Sequence, residues 1–114
     1  MEPLRIRKKP EKEIQDKIIH KLRLRGWVVF TMFASENLRG FPDLYCTHKR
    51  YGYRWVEVKL PGMVGSKFTP AQLEVFPKLI ANGTHIWILT SDTDKELDLL
   101  FKPMNLSSYL ILHS

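Results

Sequence analysis

The chain has 114 residues, of which 44% are hydrophobic and 26% charged, the length and composition of one soluble globular domain rather than two. A single cysteine, Cys46, excludes an intramolecular disulfide and a cysteine-built zinc site, and makes a reducing compartment the default. Eighteen basic against twelve acidic residues give a formal charge of +6, which favours polyanionic partners such as nucleic acid.

That charge is uneven. Residues 1–25 carry nine basic against four acidic side chains, whereas residues 91–114 carry two against four. Residues 1–9 read as a basic N-terminal arm and residues 10–114 as a single domain. No apolar run approaches the roughly 20 residues that span a bilayer. The N-terminus lacks the apolar core of a secretion signal, so a cytoplasmic, non-secreted chain is expected.

Pro10 suits the first turn of a helix. From Glu11 to Arg25, Ile14, Ile18, Ile19 and Leu22 fall on one helical face, and Gly26 is a natural stop. Residues 27–33 are β-branched and aromatic and predict a strand. A loop from Ala34 to Pro42 precedes a short second strand, Asp43 to Thr47. Residues 48–52 predict a hairpin turn and Tyr53 to Leu60 the clearest strand, ended by Pro61-Gly62.

After a loop over Met63 to Phe68, Thr69-Pro70-Ala71-Gln72 has the form of a capping box with proline at the first helical position. The helix it opens presents Leu73, Phe76, Leu79 and Ile80, with Pro77 placed to kink it, and ends at Asn82-Gly83. His85 to Thr90 reads as a strand buried on both faces. Ser91 or Asp92 would cap a last short helix to about Leu100, and the apolar tail from Met104 to Leu112 would pack or pair. The order αβββαβ predicts an α/β domain with a mixed sheet flanked by helices.

Side chains alternate across a strand, so Glu57 and Lys59 share a face and Val56 and Val58 turn to the core. Asp43 opens the neighbouring strand, and a hairpin would bring the two carboxylates together at one end. Paired carboxylates either share a proton or hold a divalent cation. A hard cation there polarises a phosphoryl oxygen, and a lysine alongside stabilises developing negative charge. Those are the requirements of metal-assisted phosphodiester hydrolysis. Read alone, Glu57 and Lys59 are also compatible with a cross-strand ion pair, Asp43 with a turn, and Gln72 with a helix cap.

Pro42-Asp43 followed by Glu57-Val58-Lys59 resembles the PD-(D/E)XK nuclease signature. The helix with Glu11 and Gln15 ending in Arg25-Gly26, the loop Arg39-Gly40-Phe41-Pro42-Asp43-Leu44, and Gln72 at the start of the next helix extend the likeness to the VRR-NUC branch, over about residues 11–90. The resemblance implies a restriction-endonuclease-like core and a structure-selective DNA endonuclease dependent on Mg²⁺ or Mn²⁺. Asp43, Glu57 and the Val58 carbonyl would be metal ligands, Lys59 would position the water, and Gln72 would hold the site or the scissile phosphate. A first-helix glutamate would act through a metal-bound water. Glu11 shares the inward face of Ile14 and Ile18, while Glu13 lies about 200° around the helix, so Glu11 is preferred.

Small stand-alone members resemble phage or bacterial Holliday-junction-resolving enzymes of DNA repair, which implies junction DNA as partner. Two symmetric cuts favour a homodimer, with the tail as its interface. Lys8, Lys9, Lys12, Arg39 and Lys67 are the expected DNA contacts. Tyr51 and Tyr53 with Lys49, Arg50 and Arg54 form a second candidate for gripping bases and phosphates. Trp27, Trp55 and Trp87 read as core, with bordering the site the alternative for Trp55, which shares a face with Glu57 and Lys59. His20, His48, His85 and His113 have no metal-ligand spacing. The rival reading is a DNA-binding module of the same fold that does not cut.

Overall fold

The computed structural model describes residues 9–32, 39–63 and 67–113. Helix α1 (Lys9–Leu24) leads into strands β1 (Val28–Thr31), β2 (Leu44–His48) and β3 (Gly52–Val58). A 3-10 turn (Pro61–Met63) precedes helix α2 (Pro70–Ala81), strand β4 (Ile86–Leu89) and helix α3 (Asp94–Leu97). A second 3-10 turn (Asp98–Phe101) and helix α4 (Leu106–His113) complete the chain. The sheet runs β1-β2-β3-β4, antiparallel for the first two pairings and parallel for the last. This is the expected αβββαβ mixed sheet with flanking helices.

Period-2 alternation divides the sheet into two faces. One carries Val29, Leu44, Cys46, Val56, Val58, Trp87 and Leu89 into a core with Ile18 and Leu22 of α1 and Leu97 and Leu100 beyond β4. On the other, Ile86 and Ile88 pack with Phe68, Phe76 and Leu106 beneath α2 and α4. All four β4 residues are buried, as a strand covered on both faces requires. The second helical layer stops at β3, leaving Val28 and Phe30 of β1 and Tyr53 of β3 exposed.

Several elements differ from their sequence expectation. Thr93, not Ser91 or Asp92, caps α3: its hydroxyl accepts from the Glu96 amide at 3.2 Å. Glu96 reaches back to the Thr90 amide at 2.8 Å. Helix α2 runs through Pro77, because that residue and Leu73 both face solvent, where water can serve the carbonyl that lost its partner. The tail takes the first of its two expected courses and packs, as a helix on its own chain, with Leu106 fully buried and Tyr109 and Leu110 against the second core.

Arg54 also turns inward instead of toward solvent. Its Nε donates to the Leu100 carbonyl at 2.9 Å, and its guanidinium stacks on Trp87 at 5.1 Å. Arg25, at the end of α1, is tied to Asp94 and Asp98, each at 2.9 Å, which fastens α1 to the α3 region.

Candidate active site

Asp43 stands one residue before β2 and, one step beyond the Leu44–Val56 pair, lies opposite Glu57. The Asp43 amide donates to Glu57 Oε1 at 3.1 Å, and Asp43 Oδ2 accepts from the Val58 amide at 2.9 Å. Each carboxylate is thus held by the backbone of the opposing strand, and the hairpin converges them as expected.

The approach to Asp43 depends on Gly40. Its φ is +83°, and a Cβ there would lie 2.7 Å from the Ala71 carbonyl oxygen and 2.9 Å from Val75 Cγ2. Only glycine lets the loop press this closely on the first turn of α2. The next residue of that turn, Gln72, is itself part of the site.

Gln72 carries two jobs at once. As the N3 residue of the capping box, its amide donates to Thr69 Oγ1 at 3.1 Å, and its Oε1 accepts from the Thr69 amide at 3.2 Å. The same Oε1 accepts from Lys59 Nζ at 3.0 Å, while Nε2 donates to Glu57 Oε2 at 2.8 Å. Lys59 Nζ lies 3.2 Å from Glu57 Oε2, and both side chains are 0% exposed. It also donates to the Lys67 carbonyl at 3.1 Å and sits 4.9 Å from the Phe68 ring centroid.

Burying an ion pair costs desolvation that Coulomb attraction repays only when the remaining hydrogen bonds are satisfied. Here they are, by Gln72, Lys67 and the Asp43 amide. A fully buried, hydrogen-bonded Glu–Lys pair next to a second carboxylate marks a candidate functional site. The donor chemistry fits a hard divalent cation, which takes carboxylate and backbone carbonyl oxygens as ligands. Among the described residues no group of three or more His, Cys, Asp or Glu side chains is arranged to hold a metal.

Glu11 is buried on the inward face of α1, one turn from buried Gln15, whereas Glu13 is exposed. The helical-face argument thus distinguishes them correctly, although Glu11 does not complete a three-carboxylate group with Asp43 and Glu57. Lys8 lies outside the described residues, as does the side chain of Lys9. Lys12 is exposed and paired with Asp16 at 3.0 Å. Lys67 is exposed, and its carbonyl rather than its ammonium enters the site. Arg39 is half-buried, with Nη1 buried and lacking a hydrogen-bond partner among the described residues.

The sequence reading missed Phe68, which walls Lys59, and Phe41, whose ring stands at 87° to Trp55 with centroids 6.1 Å apart. Their only signal is adjacency in sequence to Pro42-Asp43 and to the capping box.

No family model matches the chain, and no curated protein does. Among solved structures, a VRR_NUC domain superposes with a TM-score of 0.61 at 23% identity, covering 81% of this chain and 95% of that one. The architecture and that likeness define the fold class: an α/β domain built on a mixed four-stranded sheet with flanking helices. Within that class the chain has the fold of a VRR_NUC domain.

Proposed function

We propose that this chain is a divalent-metal-dependent endonuclease that hydrolyses phosphodiester bonds in branched DNA of the Holliday-junction kind. The observation that carries this reading is the interlock of half-buried Asp43 with buried Glu57, Lys59 and Gln72, on the fold of a VRR_NUC domain. Mg²⁺ or Mn²⁺, held by Asp43, Glu57 and the Val58 carbonyl, with Glu11 acting through water, would supply Lewis-acid stabilisation of the phosphoryl oxygens.

The chain's own residues do the positioning. Lys59 Nζ, fixed by Gln72 and the Lys67 carbonyl, orients the attacking water and offsets negative charge that builds on the phosphate. Because Lys59 and Glu57 are sealed from solvent, that charge is felt strongly. Arg39, with a buried donor lacking a partner among the described residues, suits a phosphate oxygen. Lys8, Lys9, Lys12 and Lys67 add sequence-independent phosphate attraction, in keeping with the +6 charge.

Two symmetric cuts in a junction call for two sites, so a homodimer belongs to this reading. Leu106, Tyr109 and Leu110 of the tail pack on the second core, which supports an interface on another face. The setting that fits is cytoplasmic, in DNA repair in a bacterium or a phage-infected cell.

The test is cleavage of labelled four-way junction, flap, duplex and single strand with Mg²⁺, Mn²⁺ or EDTA, beside Asp43→Ala. Metal-dependent cutting lost in the variant is expected. Junction binding without cutting in either metal would transfer the protein to the non-cleaving class.

A further inference from the structure

Building on the nuclease reading, we propose that the uncovered half of the sheet is a stacking platform for unpaired bases of the DNA substrate, placed beside the carboxylate pair. Strand register puts Phe30 opposite Tyr45 and Tyr45 opposite Trp55, one straight aromatic row across β1, β2 and β3. The neighbouring row contains Val28, Thr47 and Tyr53. Along β3, Tyr53, Trp55 and Glu57 alternate onto the same face. Positions two apart on a strand are separated by about 6.6 Å, so the aromatic row begins one such step from Glu57.

The rings form a connected surface. Tyr45 lies 5.1 Å from Trp55, 6.0 Å from Tyr53 and 6.4 Å from Phe30, centroid to centroid. Among the described residues α2 and α4 pack over Ile86 and Ile88, on the β4 side, and half-buried Trp55, against Phe41 and the second core, forms the inner edge of the surface. Phe30 is 57% exposed and Tyr53 is 55% exposed.

Charge favours a nucleic acid as the occupant. Strands β1 and β2 contain no carboxylate, and the only one in β3 is Glu57 at the site itself. The margins are basic. Lys49 and Arg50 project at the β2–β3 turn, and exposed Arg23 donates to the Val29 carbonyl at the β1 edge. Aromatic side chains with basic ones at the margins, and no acid in the three strands besides Glu57 of the site, are the chemistry of base stacking on a single strand. In an intact duplex the base faces are already occupied by their neighbours, so the platform is open only to bases at a branch, gap or end. It would thereby confer selectivity for branched DNA.

The test measures equilibrium binding in EDTA, where cutting is silent. The probes are a labelled oligothymidine, a gapped duplex and an intact duplex. Phe30→Ala and Tyr53→Ala, combined, should weaken single-strand and gapped binding about tenfold or more while leaving duplex binding within about twofold. Leu24→Ala, which removes exposed aliphatic surface from α1 and not from the sheet, should change neither. Light scattering on the same samples should show unchanged mass. Equal losses on all three probes, or no loss, would overturn the platform. So would a wild-type protein with no preference for unpaired bases. A fall to half the mass in the double variant would overturn it in favour of a second copy of the chain. Metal-dependent cleavage by the wild type is scored separately. A chain that cuts but shows unaltered single-strand binding loses only the platform, and one that never cuts yet shows the selective loss loses only the nuclease reading.

Discussion

Gln72 Oε1 accepts from Lys59 Nζ at 3.0 Å, and neither side chain is more than 1% exposed. Because the same oxygen also accepts from the Thr69 amide, the start of α2 and the position of the lysine are set by one atom. Substituting the two capping residues separates these duties. Thr69→Ala removes the hydroxyl cap and should lower stability by about 1 kcal/mol while keeping most of the cleavage. Gln72→Ala also strips a partner from Lys59 and Glu57, and should reduce cleavage about 10- to 100-fold beyond any change in folding. Melting temperature and single-turnover rate measured on both variants check this. Equal rate losses would reduce Gln72 to a helix cap.

The Glu57–Lys59 pair predicts an asymmetry between single and double substitutions. Lys59→Met keeps the stem's volume but removes the ammonium paired with buried Glu57, and should destabilise the fold by about 3–5 kcal/mol. Adding Glu57→Leu removes the orphaned charge and should recover most of that loss, because two apolar side chains need no compensation. Both proteins should be inactive. Urea unfolding without added metal measures the difference. A double variant no more stable than Lys59→Met would mean that the pair stabilises the fold in its own right.

Gly40 predicts that one methyl group disconnects the site from its support. In Gly40→Ala, the new Cβ meets backbone at 2.7 Å and the residue must hold a φ of +83°. The left-handed backbone alone costs about 1–2 kcal/mol, and the clash with Ala71 cannot be relieved by rotating a side chain. The melting temperature should fall, and kcat should fall with it as Asp43 moves off its register with Glu57. Gly83→Ala is the control, since it has positive φ but open space around it. It should show the thermal loss without the kinetic one.

The sheet and most of the site were legible because period-2 alternation is a strict geometric rule. Glu57 and Lys59 had to share a face, and Val56 and Val58 had to enter the core. Glu11 was separable from Glu13 for the same kind of reason, on a 3.6-residue period. The role of Gln72 as a cap was local and readable, whereas its bonds to Glu57 and Lys59 cross 15 and 13 residues and needed the fold. Thr93-x-x-Glu96 has the spacing of a helix cap, and it prevails over Ser91 and Asp92 because its hydroxyl meets the Glu96 amide. Arg54 looked solvent-facing because charge is the default surface signal. Its burial follows from Trp27 and Trp87 arriving from two other parts of the chain, at 6.0 and 5.1 Å. The aromatic row was likewise hidden, since Phe30, Tyr45 and Trp55 become neighbours only through strand register.

Cys46 gives a prediction in pH. It is buried in the first core, and burial pushes its thiol from an ordinary 9.0 up to about 12. The native state therefore keeps the proton where the unfolded chain releases it. Above about pH 9 the unfolded state binds fewer protons, so stability falls as pH rises, and this contribution is fully present below 9 and lost on the way to about 12. Between pH 7 and 10 the urea midpoint should drop, and Cys46→Ala should flatten that drop even though its cavity lowers stability at both pH values. The buried thiol should also resist iodoacetamide at pH 8, reacting only as fast as the core opens. Rapid alkylation of the folded protein, or an unchanged pH slope in Cys46→Ala, would show that the thiol does not carry this dependence.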